Sequence, residues 1–64
     1  MSADELRQRY PGLTARQAEV TSLYERGMSM RAIAQALCLD RSTVRKHLNA
    51  ASRRIVAAER QTAA

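Results

Sequence analysis

Aromatic side chains are nearly missing from this chain: it has no Trp, no Phe and only two Tyr in 64 residues. A thin core must therefore come from Leu, Ile, Val, Ala and Met on amphipathic segments. A chain this short buries only about 60% of its unfolded surface, so one domain is the limit and a deep substrate pocket is not expected. One cysteine, Cys38, leaves no intramolecular disulfide, and no metal-ligand cluster surrounds it or the lone His47. No apolar run approaches the ~20 residues of a membrane span, and the N-terminus carries no signal-peptide pattern. A cytoplasmic, nucleoid-associated protein is expected, with no metal, no cofactor and no small-molecule ligand. No Ser–His–Asp arrangement, phosphate loop or carboxylate pair is recognisable, so enzymatic activity is not expected either.

Acidic residues are missing from one particular stretch. Between Arg41 and Arg54 stand Arg41, Arg45, Lys46, Arg53 and Arg54, with no Asp or Glu among them. Outside that stretch the basic and acidic residues balance, so the whole formal charge of +5 resides there. A merely solubilising surface would spread its charge, whereas a concentrated one is the footprint of a polyanion binder. A membrane-surface helix would need a Leu, Phe or Trp insertion face, which this stretch lacks.

The breakers and caps divide the chain into four helices. Ser2 with Glu5 forms a capping box that opens a first helix over Ala3 to Arg9, and Pro11 with Gly12 ends it. Thr14 with Gln17 forms a second box, opening a helix from Ala15 to Arg26 with Val20, Leu23 and Tyr24 buried and Gly27 as its left-handed stop. Ser29 caps a third, Met30 to Leu37, with Ile33, Ala34 and Leu37 inward and Met28 and Met30 filling gaps. Asp40 caps the last, from Arg41 to about Glu59. Val44, Leu48, Ala51 and Ile55 recur there at spacings of 4, 3 and 4, one face by the helical period. Strand-like alternation, internal repeats and low-complexity segments are all lacking. The fold class expected is all-α: a small helix-turn-helix bundle of about four helices with a long C-terminal recognition helix. It forms one domain over 1–64, with its core in 13–58 and residues 61–64 frayed.

Ala34, Leu39, Val44 and Leu48 sit where a helix-turn-helix motif packs its two short helices together. The stretch "LTARQAEVTSLYERGMSMRAIAQALCLDRSTVRKHL" resembles the DNA-binding domain of LuxR/GerE-type regulators. Leu13, Thr14, Arg16, Glu19 and Val20 match the opening of that pattern, and Gly27 and Ser29 its inter-helix turn. Ile33, Ala34 and Leu37 match the next helix, and Thr43, Val44, Arg45 and His47 the close. Gln17 stands where the pattern has Glu, and Cys38 where many such turns have Gly. The tail "ASRRIVAAERQ" contains no breaker, where the family places a separate fourth helix. It is more similar to the promoter-reading C-terminal domain of sigma factors, which shares the fold.

The last helix carries the candidate site. Ser42, Arg45, Lys46, Asn49 and Arg53 fall on one flank, over about 16 Å at 1.5 Å per residue. The major groove admits such a helix; Arg forks onto guanine O6 and N7, and Asn onto adenine N6 and N7. Arg45, Lys46, Asn49 and Ser42 are therefore the candidate base-contacting residues, and the resemblance also places base contacts at Arg45, Lys46 and Asn49. Arg41, Thr43, Arg53, Arg54, Thr14, Ser29 and Arg31 are candidates for phosphate, several of them at helix starts where free N–H groups favour anions. His47 reads as a packing residue with a hydrogen bond, and Cys38 as a buried small hydrophobe.

Short modules of this kind lengthen their sites by pairing across an inverted repeat. Ala50, Val56 and Ala57, apolar but off the core stripe, and Leu6 with Tyr10 on the first helix are the candidate dimer surface. The expectation is a homodimeric repressor or autoregulator on double-stranded DNA. The alternative, from the sigma-like tail, is a protein-docking module for RNA polymerase or another regulator.

Overall fold

A computed structural model describes residues 1–62. Four helices follow one another: α1 (Ala3–Arg9), α2 (Ala15–Glu25), α3 (Met30–Leu37) and α4 (Arg41–Thr62). There is no strand among the described residues. At ~1.5 Å per residue α4 spans about 33 Å, and it accounts for the elongated body of 38 × 19 × 18 Å.

Local chemistry fixes the helix ends. In α1 the Glu5 amide donates to Ser2 Oγ and the Ser2 amide to Glu5 Oε1, each at 3.2 Å, so the box satisfies two of the orphan donors of a helix start. These bonds to Ser2 hold the Glu5 carboxyl below the usual glutamate range. The Thr14–Gln17 box of α2 closes at 3.1 Å in both directions. Ser29 Oγ accepts from the Ala32 amide at 3.1 Å at the head of α3.

Two left-handed residues close the middle helices. Gly27 has φ 93°, and the amides of Gly27 and Met28 donate back to the carbonyls of Tyr24 and Leu23. Cys38 has φ 56° and ψ 44°, and the amides of Cys38 and Leu39 donate to Gln35 and Ala34. Both are Schellman closures, which favour Gly at the left-handed position. Cys38 is thus exposed, contrary to its expected burial. The backbone turn dictates its orientation, and the turn points its side chain outward. The first bond of α4 runs from the Val44 amide to the Asp40 carbonyl at 3.0 Å. The helix then continues past its expected end near Glu59 to Thr62. Of the segment 61–64 expected to fray, residues 63 and 64 lie outside the described residues.

The core is in two parts joined by α2 and α4. Val20, Ile33, Ala34 and Val44 form one cluster, bordered by Leu23, Met28, Met30, Leu37, Leu39 and Leu48. Leu6, Tyr10, Leu13, Ala18 and Ala51 form the other, with Ala3, Ile55 and Ala58 against it. The apolar stripe of α4 packs chiefly on α2. Its first half also meets α3, and Ala51, Ile55 and Ala58 share the second cluster with Leu6, Tyr10, Leu13 and Ala18.

That second cluster corrects the expectation for Leu6 and Tyr10. Leu6 is 1% exposed and Tyr10 8%, so their apolar surface is consumed inside the chain and none is left for a partner copy. The Tyr10 hydroxyl also donates to Glu59 Oε1 at 2.8 Å and accepts from Arg9 Nε at 3.1 Å, which ties α1 to the far half of α4. Tyr24, expected inside, is 54% exposed. It follows Val20 by four residues but lies beyond the reach of α3, which contacts the other side of the α2 end.

The N-terminus adds a strap across α1 and α2. The Met1 ammonium lies 3.3 Å from Glu25 Oε2, and Ser22 Oγ donates to the Met1 carbonyl at 2.9 Å. With this bond and the one from Thr21 Oγ1 to the Gln17 carbonyl, no buried side-chain nitrogen or oxygen is left without a partner among the described residues.

Candidate nucleic-acid interface

Capping and turn chemistry set α3 and α4 as two short helical starts joined at Cys38 and backed by α2. Val44 fixes the rotation of α4: it is fully buried between α2 and α3. At 100° per residue this turns the opposite side of α4 outward. Ser42, Arg45, Lys46, Asn49 and Arg53 are all exposed there. The structure brings these five onto one continuous face, and none of their charged groups has an ion-pair partner among the described residues. The ion pairs Met1–Glu25 and Arg16–Glu19 both lie on the α1–α2 side.

The remaining candidates divide between two flanks of α4. Arg41, Ser42 and Arg45 meet Ser29, Met30 and Arg31 of α3 around an open cleft of about 480 Å³. Both helices present their N-terminal turns there. Ser29 Oγ already accepts from the Ala32 amide, but its hydroxyl hydrogen remains available for donation. Arg54 lies on the other flank, over the α1–α2 loop. A Cβ built on Gly12 would sit 3.4 Å from its Nη1, an ordinary contact distance, which places the guanidinium directly over this loop. Thr43 is half-buried on that flank in the first turn of α4. Thr14 stands exposed at the head of α2, its hydroxyl oxygen engaged with the Gln17 amide.

His47 is half-buried beside the α4 stripe and makes no hydrogen bond among the described residues, so only the packing half of its expected role is present. On the distal half of α4, Val56 is 50% exposed. With Ser52, Arg53, Ala57 and Arg60 it borders a shallow depression of about 350 Å³. Ala50 is half-buried and does not line it. Sequence reasoning named Arg31, Arg41 and Arg45 separately and missed their convergence, because the α3–α4 angle decides it. The latch between Tyr10 and Glu59 was likewise missed. The only signal for it was an aromatic hydroxyl and a carboxylate 49 positions apart.

The geometry is that of a two-helix unit. A short helix and a left-handed turn set a second helix outward with a cationic face, while a preceding helix supports both from behind. Residues 17–51 match the family described as the helix-turn-helix domain, a span that takes in most of α2, all of α3 and the buried half of α4. That is more than half of the chain, and the chain belongs to this family, whose members are DNA-binding. No curated protein and no solved structure matches it. Groups of three or more His, Cys, Asp or Glu able to hold a metal ion do not occur among the described residues. No helix among them is long and apolar enough to cross a membrane.

Proposed function

We propose that this protein is a sequence-specific transcriptional regulator that places α4 in the major groove of double-stranded DNA. The observation that carries the reading is the exposed, unpaired cationic face of α4. Unpaired guanidinium and ammonium groups on a helix that fits the groove have acceptor-rich base edges and phosphates as their complement. Arg45, Lys46, Asn49 and Ser42 read bases. Arg41, Ser29 and Arg31 on the α3 side of that face and Thr43 and Arg54 on its other flank hold phosphates, with Arg53 at its far end and Thr14 at the head of α2 adding to them. The Leu13–Leu48 pattern supports the LuxR/GerE type, with an uninterrupted α4 as this chain's departure from it.

The protein acts as a homodimer on an inverted repeat, through Val56 and Ala57 with Ala50 at the margin. Val56 is already half covered. Full burial of a valine contributes roughly 1.5–3 kcal/mol, so two copies gain only about 2 kcal/mol from it. Association costs at least about 4 kcal/mol, so pairing occurs on DNA, where phosphates also neutralise Arg53 and Arg60. Repression or autoregulation by occupying an operator is the simplest outcome for a chain with these parts. The continuous α4 supports a second reading, docking on RNA polymerase or another regulator, and the same experiment separates the two.

Fluorescence anisotropy with duplex from the gene's own upstream region, against scrambled duplex, over a salt series is that experiment. Preference for the native duplex, with log affinity falling by about 0.9 per phosphate contacted, is the expected result. Arg45→Ala relaxes preference at one base position by about 1–3 kcal/mol, while Arg53→Ala weakens all sequences alike. Equal effects of both on every sequence would refute the assignment. Complex formation with polymerase in the absence of any DNA affinity would establish the docking module instead.

A further inference from the structure

Arg9, Tyr10 and Glu59 form a hydrogen-bonded tie between the end of α1 and the last turns of α4. Arg9 Nε donates to the Tyr10 hydroxyl at 3.1 Å, and that hydroxyl donates to Glu59 Oε1 at 2.8 Å. A hydroxyl that accepts from a cation and donates to an anion links two opposite charges, and charge-assisted bonds are about twice as strong as neutral ones. Tyr10 is itself anchored. It is buried with Leu6, Leu13, Ala18 and Ala51, so its hydroxyl leaves the core at a fixed place.

The part of α4 that this tie supports is otherwise thinly packed. Beyond Ala51, Ile55 and Ala58 lie against the core, while Val56, Ala57, Arg60 and Gln61 are exposed. The last carbonyls of a helix have no intrahelical donor, and a helix end with little apolar contact frays. Within α4 the carbonyls of Arg53, Arg54 and Ile55 accept from the amides of Ala57, Ala58 and Glu59, four positions on. The turn pinned by the Tyr10 hydroxyl is therefore the one that closes the helix around Arg53 and Arg54. Arg54 meets the same part of the chain a second time, with its guanidinium over Gly12.

We propose that Tyr10 and Glu59 are positioning residues for DNA: their latch keeps the distal half of α4 helical and so holds Arg53 and Arg54 where they meet phosphate. The positioning role rests on the proposed DNA function, whereas the ordering of α4 does not. A helix ordered before binding has already lost its conformational entropy, and the bound state gains by this preorganisation. Arg45, Lys46 and Asn49 lie close to the buried Val44. The core holds them, and they do not depend on the latch.

The test compares the full chain with Tyr10→Phe, which keeps the ring and removes the hydroxyl. Backbone order parameters from NMR relaxation are the first readout. At residues 53–59 of the wild type they are expected near 0.85, about the value of a rigid backbone, and at residues 57–60 of the variant they fall toward about 0.6. Unchanged values at Val44 and Leu48 report an intact core.

The second readout is affinity for duplex from the gene's own upstream region. Tyr10→Phe weakens binding to every sequence alike by about three- to tenfold, with base preference kept. In Arg53→Ala/Arg54→Ala the same replacement has no further effect, because the groups it positions are gone. Affinity untouched by Tyr10→Phe, or weakened equally in both backgrounds as by a mere loss of folded protein, would overturn the positioning role. Order parameters unchanged in Tyr10→Phe would overturn it as well, whatever the affinity. A latch-dependent loss of order in a chain that binds no duplex would refute the DNA function, and the positioning role with it, and leave the latch as what orders α4.

Discussion

Replacing Leu6 by Ala distinguishes a core residue from an interface residue. Leu6 is the one fully buried side chain within α1, packed with Tyr10, Leu13, Ala18 and Ala51. Leu→Ala at such a site removes apolar contacts and leaves a cavity, at a cost of about 2–5 kcal/mol. A helix of 7 residues has no stability of its own to offset this. A chain of 64 residues is stable by only about 3–10 kcal/mol at the usual 0.05–0.15 kcal/mol per residue. A loss near 3 kcal/mol lowers the melting temperature by about 12–24 °C for a domain of this size. The assay is thermal unfolding followed by circular dichroism at 222 nm, over a hundredfold range of protein concentration. The structure requires the same drop at every concentration, because the contacts lie within one chain. A drop below about 4 °C, the equivalent of less than 1 kcal/mol, would refute the packing of α1. So would a drop that vanishes as concentration rises, which would return Leu6 to an interface.

Other perturbations test the turn, the latch and the cap. Cys38→Gly relieves the left-handed backbone and leaves stability unchanged or raised by up to about 1 kcal/mol, because added unfolded-state freedom offsets part of the relief. Cys38→Val lowers it by about 1–2 kcal/mol, and urea midpoints measure both. Tyr10→Phe removes the hydroxyl between Arg9 and Glu59 and costs about 1–2 kcal/mol. In Glu59→Gln the same change costs less, which a double-mutant cycle reads out. The Glu5 carboxyl is held below its ordinary value of 4.5 by the bonds to Ser2. Its folded state thus binds fewer protons than the unfolded chain does. The stabilisation is complete above the ordinary value and disappears as pH falls through the lowered one. A carboxyl NMR titration checks this: the Glu5 midpoint in Ser2→Ala moves up toward 4.5, and an unmoved midpoint contradicts the box as its cause.

The helices were legible in the amino-acid sequence because their ends depend on neighbours three to five positions apart. Ser2 with Glu5, Thr14 with Gln17, Ser29 and Gly27 each act through bonds inside one turn. The stripe Val44–Leu48–Ala51–Ile55 follows from the helical period, and so does the cationic face opposite to it. All-α class, helix order and the concentration of charge were thus determined locally. Tertiary structure decided what no local rule contains. The sequence shows Leu6 and Tyr10 as apolar, but only the packing of α1 on α2, beside the distal half of α4, makes them core. Tyr24 has the right spacing for burial, yet α3 lies on the other side of the α2 end. Cys38 has the composition of a buried residue, but the closure of α3 needs a left-handed turn that directs it outward. Arg31 and Arg41 are ten positions apart, and the angle between two helices makes them neighbours. Short-range hydrogen bonding and periodicity are properties of a segment, whereas burial and convergence are properties of how segments pack, so the first were readable from 64 letters and the second were not.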